Sequence, residues 1–185
     1  CLKRQLRQRT PVSENICFDG YCLNIFLRAM GRGKKLSMPV EAILAVIQSA
    51  FEEGSADLVQ LNMDFSDEAD RGFSRLAPLV EAIKKRFNTF VALKGFPPLN
   101  HSTIDLMYAS GFDIIDSPLG GFSGTITLKR MMTAKQVHFA LEYRAGIFPP
   151  GAVWTDVVLG PESHSRSKEG IDRLMESGIH TFIIL

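Results

Sequence analysis

The chain has 185 residues, of which 45% are hydrophobic, and 21 Lys and Arg against 20 Asp and Glu, for a formal net charge of +1. A chain of this length buries one sizeable core and is short for two ordinary domains. The composition argues against a membrane-spanning or secreted protein, because no window offers the roughly 18 uncharged apolar residues of a span and the polar start lacks a signal peptide. We therefore expect a soluble, cytoplasmic protein.

The three cysteines are Cys1, Cys17 and Cys22. An odd number with this uneven spacing does not predict a secreted disulfide framework, so metal ligands or reduced thiols are the better interpretation. Cys17 and Cys22 lie in a Gly-containing loop ahead of an amphipathic helix. That placement predicts a metal-cluster loop at the mouth of a barrel.

The charge is unevenly distributed along the chain. Residues 1–35 carry eight Lys and Arg against Glu14 and Asp19, about +6, which leaves about five net negative charges for the remainder. We expect residues 1–10 to form a basic arm and residues 11–185 a single domain. Nucleic acid is not an expected partner, because no aromatic side chains for base stacking alternate with the basic residues of the arm, Lys3, Arg4, Arg7 and Arg9.

Beyond the arm, extended and helical patterns alternate. Apolar residues at helical spacing predict helices over residues 37–54, 74–87, 102–111, 133–148 and 166–177. Short apolar runs predict strands over residues 11–16, 57–62, 89–94, 112–116, 153–159 and 179–185. A glycine closes three of the helices shortly before a strand, at Gly54, Gly111 and Gly178, which indicates a repeated βα unit.

Six strands joined by five helical segments predict a parallel sheet with right-handed crossovers. We predict an α/β fold, a partial parallel (βα)6 TIM-type barrel. A doubly wound sheet is the alternative, although the chain has no Gly-x-Gly-x-x-Gly turn and no P-loop. Because the chain begins at Cys1 and ends on an uncovered strand, we expect it to be truncated at one or both ends.

In such a barrel, functional residues lie where strands end and helices begin. Besides the cysteine loop, these positions hold Asn62-Met63-Asp64, Lys94, Asp116-Ser117 and Gly160-Pro161-Glu162. Asp156 falls inside a buried strand pattern, where an unpaired carboxylate would be costly. We expect it to face the lumen or a partner such as Lys94.

Several segments together carry a resemblance to a known family: Tyr21-Cys22 and residues 36–44, 96–113, 140–151 and 169–178. They resemble radical S-adenosylmethionine enzymes of the biotin-synthase-like branch. The resemblance implies a (βα)6 partial barrel, a 4Fe-4S cluster held by three thiolates, and S-adenosylmethionine cleaved to a 5′-deoxyadenosyl radical. It also implies hydrogen abstraction from a small organic substrate and an electron donor protein as a partner.

The same resemblance implies roles for individual residues. Cys17, Cys22 and Cys1 would ligate the cluster, although aligning Tyr21-Cys22 with the end of the family's Cys-x3-Cys-x2-Cys motif places Asn15 and Asp19 at the other two ligand positions. The implied S-adenosylmethionine contacts are made by Asn62, Asp64, Asp116, Ser117, Gly160 and Glu162.

Two alternatives to the radical enzyme stay open at this point. One is a noncatalytic barrel relative that has lost the cluster and serves as a binding or scaffold subunit, as the Asn15 and Asp19 positions suggest. The other is a cofactor-free barrel enzyme that uses Asp116, Asp156 or Lys94 for acid–base chemistry.

Overall fold

The computed structural model describes residues 16–19, 22–27, 38–98, 100–122 and 132–184. Its elements in chain order are β1 (Ile16–Asp19), β2 (Cys22–Leu27), α1 (Val40–Glu52), β3 (Leu58–Met63), α2 (Ala77–Arg86), β4 (Phe90–Lys94), α3 (His101–Ala109), β5 (Ile114–Asp116), α4 (Ala134–Ile147), β6 (Val153–Val158), α5 (His164–Glu176) and β7 (His180–Ile184). The basic arm, Cys1 and residues 11–15 of the predicted first strand lie outside the described residues. None of the described helices is long and apolar enough to cross a membrane.

All the strands belong to one sheet, and their spatial order is the same as their order in the sequence. The six strands from β2 to β7 pair in parallel, and β1 pairs antiparallel with β2. A doubly wound sheet reverses its strand order at a switch point, whereas this sheet does not. The predicted partial parallel (βα)6 TIM-type barrel is confirmed.

The start of the barrel differs from the prediction. The first parallel strand is Cys22–Leu27, while Cys17 lies on β1 and Asp19 pairs with Cys22. Leu23, Ile25 and Leu27 are buried, and Phe26 is exposed on the other face. Alternation with a period of two is typical of a strand, but the sequence analysis predicted no strand over these residues. Cys22 therefore begins a barrel strand, and the predicted loop at the carboxyl-end mouth is wrong.

The hydrophobic core lies between the sheet and the helices. Every second residue of the central strands is fully buried toward the helix layer, as at Ile25, Leu61 and Leu93. The helices present matching apolar stripes, which in α1 consist of Ile43, Leu44, Val46, Ile47 and Ala50. The opposite face of the sheet is left to line the lumen.

The helix starts agree only in part with the predicted ranges. The predicted start of α4 at residue 133 agrees with the structure, in which Thr133 caps the helix and forms a reciprocal capping box with Gln136. The cap of α3 is Asn100 instead of Ser102, since its side chain accepts a hydrogen bond from the Thr103 amide. Ser74 does not open α2, because it lies inside the 3-10 turn Phe73–Arg75 that precedes this helix, where its hydroxyl donates to Asp70.

Candidate ligand site in the barrel lumen

The lumen face of the sheet encloses a polar cavity of about 360 Å³. Its lining comes from all six parallel strands, β2 to β7, and comprises Cys22, Asn24, Leu58, Gln60, Lys94, Asp116, Trp154, Asp156 and Phe182. The strand register places Lys94 beside Asp116 and Asp116 beside Trp154. Parallel pairing thus brings together side chains that are far apart in the sequence.

A triad of charged groups occupies this cavity. The Lys94 Nζ lies 2.7 Å from Asp116 Oδ2 and 2.6 Å from Asp156 Oδ2. The expectation that Asp156 faces a partner such as Lys94 is confirmed. Asp116 is 3% exposed, and its Oδ1 has no hydrogen-bond partner among the described residues. A buried carboxylate oxygen without a partner is costly and points to a missing donor.

The environment changes the acid–base behaviour of the triad. Burial acts to lower the pKa of Lys94, but the charges and hydrogen bonds of Asp116 and Asp156 outweigh it, so the pKa is raised. For Asp116, burial is the largest effect and raises the pKa despite the opposing influence of Lys94. The site therefore combines a persistent cation with a carboxylate that is more basic than usual. Such a pair can accept a proton at Asp116 and stabilise developing negative charge near Lys94.

Three carboxamides form a second polar group on β2 and β3. Gln60 Nε2 donates to Asn24 Oδ1 at 2.8 Å and to Asn62 Oδ1 at 3.0 Å. Asn62 Nδ2 also donates to Asn24 Oδ1, at 3.1 Å. These bonds hold the amides in one arrangement, so the cavity presents fixed hydrogen-bonding groups next to the charged triad.

Ser117 and Arg144 support the triad from behind. The Ser117 hydroxyl donates to the Gly95 carbonyl at 2.6 Å and accepts a hydrogen bond from Arg144 Nη1. Thr155 Oγ1 donates to the Ser117 carbonyl at 2.7 Å. Because its hydroxyl is engaged in structural hydrogen bonds, Ser117 fixes the ends of β4, β5 and β6 against α4.

The predicted site residues do not all meet. Asp116 and Cys22 line the cavity, and Asn62 joins the carboxamide group. Asp64 is exposed just beyond β3, Gly160 is exposed after β6, and Glu162 is half-buried before α5. Cys1 lies outside the described residues, and for Cys17 only the backbone is described. The structure thus brings together only part of the set proposed for S-adenosylmethionine.

Of the site residues that the sequence analysis did not predict, four carried a signal. Asn24 and Gln60 are the polar members of alternating strand patterns, which mark a lumen-facing position. Arg144 stands at helical spacing with the buried Val137 and Leu141 of α4. Trp154 alternates with buried neighbours in β6.

A larger cavity, of about 590 Å³, lies outside the barrel between α4 and α5. Among its lining residues, Arg173 pairs with Glu169, and His138 pairs with Glu142 one turn further along α4. Helical i,i+4 pairs of this kind are typical of a solvated surface. The lumen cavity is the better candidate because it contains the buried charged groups.

No protein-family model matches the chain, and no curated protein matches it. In three-dimensional structure the chain is similar to DHPS of Yersinia pestis with a pterine–sulfa conjugate, at 16% identity and a TM-score of 0.50, covering 85% of this chain and 56% of that one. It also resembles a dihydropteroate synthase of Coxiella burnetii in complex with pteroic acid, at 17% identity and a TM-score of 0.49, covering 79% and 53%. A third is 7,8-dihydropteroate synthase from Vibrio fischeri ES114, at 13% identity and a TM-score of 0.47, covering 85% and 59%. The chain thus spans little more than half the length of these proteins.

These findings correct the predicted family. The Yersinia pestis DHPS shares the fold of this chain, so the assignment to radical S-adenosylmethionine enzymes is wrong, and with it the 4Fe-4S cluster and S-adenosylmethionine. The electron donor protein that this assignment implied has no support. The described residues also contain no group of three His, Cys, Asp or Glu side chains that could hold a metal ion. The noncatalytic alternative depended on the same assignment and has no specific support.

The misleading resemblance has a physical reason. The matching segments are mostly helices with their glycine ends, and the βα units of any parallel barrel share such patterns. Cys22, which was aligned with the end of the cluster motif, begins a strand instead of closing a cluster loop. At these low identities the similarity shows the fold alone: the chain is a partial TIM-type barrel of the kind found in dihydropteroate synthase.

Proposed function

We propose that the lumen cavity binds a small planar heterocycle of the pterin class. The observation that carries the proposal is the Lys94–Asp116–Asp156 triad, in which a buried carboxylate oxygen of Asp116 has no partner among the described residues. A pterin ring presents adjacent N–H and amino groups, and a carboxylate accepts such a pair of donors well.

The remaining lining suits the same ligand class. Trp154 and Phe182 lie in the cavity with ring centroids 5.4 Å apart, and they offer aromatic surface to a flat ring. Asn24 and Gln60 add neutral hydrogen-bonding groups on the opposite strands. The cavity volume of about 360 Å³ falls within the range of small-molecule sites. The pterine–sulfa conjugate of the Yersinia structure, which shares the fold, suggests the first class of probe to try.

The test is isothermal titration calorimetry of the protein with unsubstituted pterin and with pteroic acid. The chain has a single Trp, which lies in the cavity, so its fluorescence gives an independent reading. We expect saturable one-site binding. Asp116→Asn should weaken it by roughly 10- to 100-fold, because one charge-assisted hydrogen bond is lost.

The matched control is Asp172→Asn, the same substitution in an exposed i,i+4 pair on α5. It should leave the affinity unchanged. Circular dichroism would verify that both variants are folded. Absence of binding to folded wild-type protein, or equal affinities of wild type and Asp116→Asn, would contradict the proposal.

A further inference from the structure

Arg144 is the least expected residue of the core. Its side chain is fully buried among the apolar residues of α4, and its Nε and Nη2 have no partner among the described residues. Among the described residues, the guanidinium has one hydrogen bond, which Nη1 donates to the Ser117 hydroxyl. A buried guanidinium with so few hydrogen bonds lowers stability compared with an aliphatic side chain. Its presence therefore calls for a role other than holding the helix in place.

The position of Arg144 suggests that role. Ser117 directly follows Asp116 on the strand, so Arg144 reaches this strand end from the helix face while Lys94 contacts the Asp116 carboxylate from the lumen face. The other groups facing Asp116 are Asp156 on β6, which repels it, and the neutral Trp154. When Asp116 and Asp156 are both ionised, the positive charges of Lys94 and Arg144 balance their two negative charges.

We propose that Arg144 is a positioning residue for the lumen site, which keeps Asp116 ionised so that the site selects ligands presenting N–H donors. The inference rests on the proposed function, and it adds the residue that sets the donor–acceptor preference. A protonated Asp116 would itself donate and would favour a ligand with a carbonyl at the same place.

The electrostatics support this assignment. Burial lowers the pKa of Arg144 to about 9, with the Asp116 charge acting in the opposite direction, so the guanidinium stays charged at pH 7. Burial raises the pKa of Asp116, and the charge of Arg144 is one of the effects that limit the rise. Removal of Arg144 leaves Lys94 alone against two carboxylates.

The first measurement needs no ligand. The titration of Asp116 is followed by NMR of the aspartate carboxyl carbons in wild type and in Arg144→Met, which keeps an unbranched apolar side chain. We expect the Asp116 midpoint to move upward in Arg144→Met and to return toward wild type in Arg144→Lys. Ser117→Ala removes the hydrogen bond but keeps every charge, so its midpoint should stay close to that of wild type.

The second measurement compares pterin with lumazine, in which a carbonyl replaces the 2-amino group. Wild type should prefer pterin, and Arg144→Met should lose this preference by about tenfold or more, a shift that a merely structural role would not produce. An unchanged Asp116 midpoint in folded Arg144→Met overturns the inference, as does a midpoint moved equally by Ser117→Ala. If the midpoint shifts as expected but neither heterocycle binds, the proposed ligand class is wrong while the electrostatic role of Arg144 stands.

Discussion

Replacing Lys94 with Met is expected to lower the free energy of unfolding by about 1–3 kcal/mol at pH 7, because two carboxylates in the lumen lose their shared cation. The loss would be larger if Lys94 and its two carboxylates were completely buried. The Lys94 side chain is 34% exposed, however, so water screens part of the interaction. The measurement is urea denaturation of both proteins at several pH values.

The difference in the free energy of unfolding between wild type and Lys94→Met should depend on pH, and Asp116 sets the direction of this dependence. Its pKa in the folded protein lies above the ordinary value of 3.8, chiefly through burial, so the native state holds this proton more tightly than the unfolded chain does. The stability contribution of Asp116 is therefore complete below that ordinary value and is lost as the pH rises through the raised pKa. Without Lys94 the pKa rises further, so the loss in Lys94→Met should shrink on acidification.

The matched control is Lys168→Met on α5. Lys168 pairs with Asp172 at 2.5 Å, but both side chains are at least half exposed. An exposed pair contributes little, so the urea midpoint of Lys168→Met should stay close to that of wild type and show no comparable pH dependence. Equal losses for the two variants would contradict a special role for the lumen triad.

Replacing Leu61 with Ala should destabilise the protein by about 2–5 kcal/mol, through lost burial and the cavity left behind. Leu61 is fully buried on β3, between Ile25 of β2 and Leu93 of β4. Its neighbours Gln60 and Asn62 point to the lumen from the same strand, so loosening of β3 should also weaken ligand binding.

The control for this substitution is Leu106→Ala on α3, where the leucine is 47% exposed. Chemical denaturation of the three proteins gives the comparison, and we expect about 1 kcal/mol or less for Leu106→Ala. A loss below about 1 kcal/mol for Leu61→Ala would mean that the barrel core is not packed as described.

Much of the fold could be predicted because its signals are local. The stripe of α1, the capping box at Thr133 and the apolar run of β6 each lie within a few residues of sequence. Short crossovers between parallel strands then leave few possible arrangements. The first barrel strand was missed, although Asn24 is the only polar residue of Cys22–Leu27, because Cys22 was assigned to a metal-cluster loop.

The candidate site could be predicted only in part. Asp116 and Lys94 were expected from their places at strand ends, and Asp156 from the cost of burying an unpaired carboxylate. The carboxamides and Arg144 were not expected, because their partners are remote: Asn24 and Gln60 are 36 residues apart, and Ser117 and Arg144 are 27 apart. Family resemblance could not replace this information, since helices alike in pattern can surround different sites.

The sequence by itself determined the alternation of strands and helices, and with it a partial parallel barrel, because hydrophobic periodicity and glycine helix ends act over short distances. Only the tertiary structure decided what the lumen contains. Strand register places Lys94 against Asp116 and, 62 residues further along the chain, against Asp156. Register depends on the packing of the whole sheet, and a shift of one residue would turn each of these charges from the lumen into the hydrophobic core.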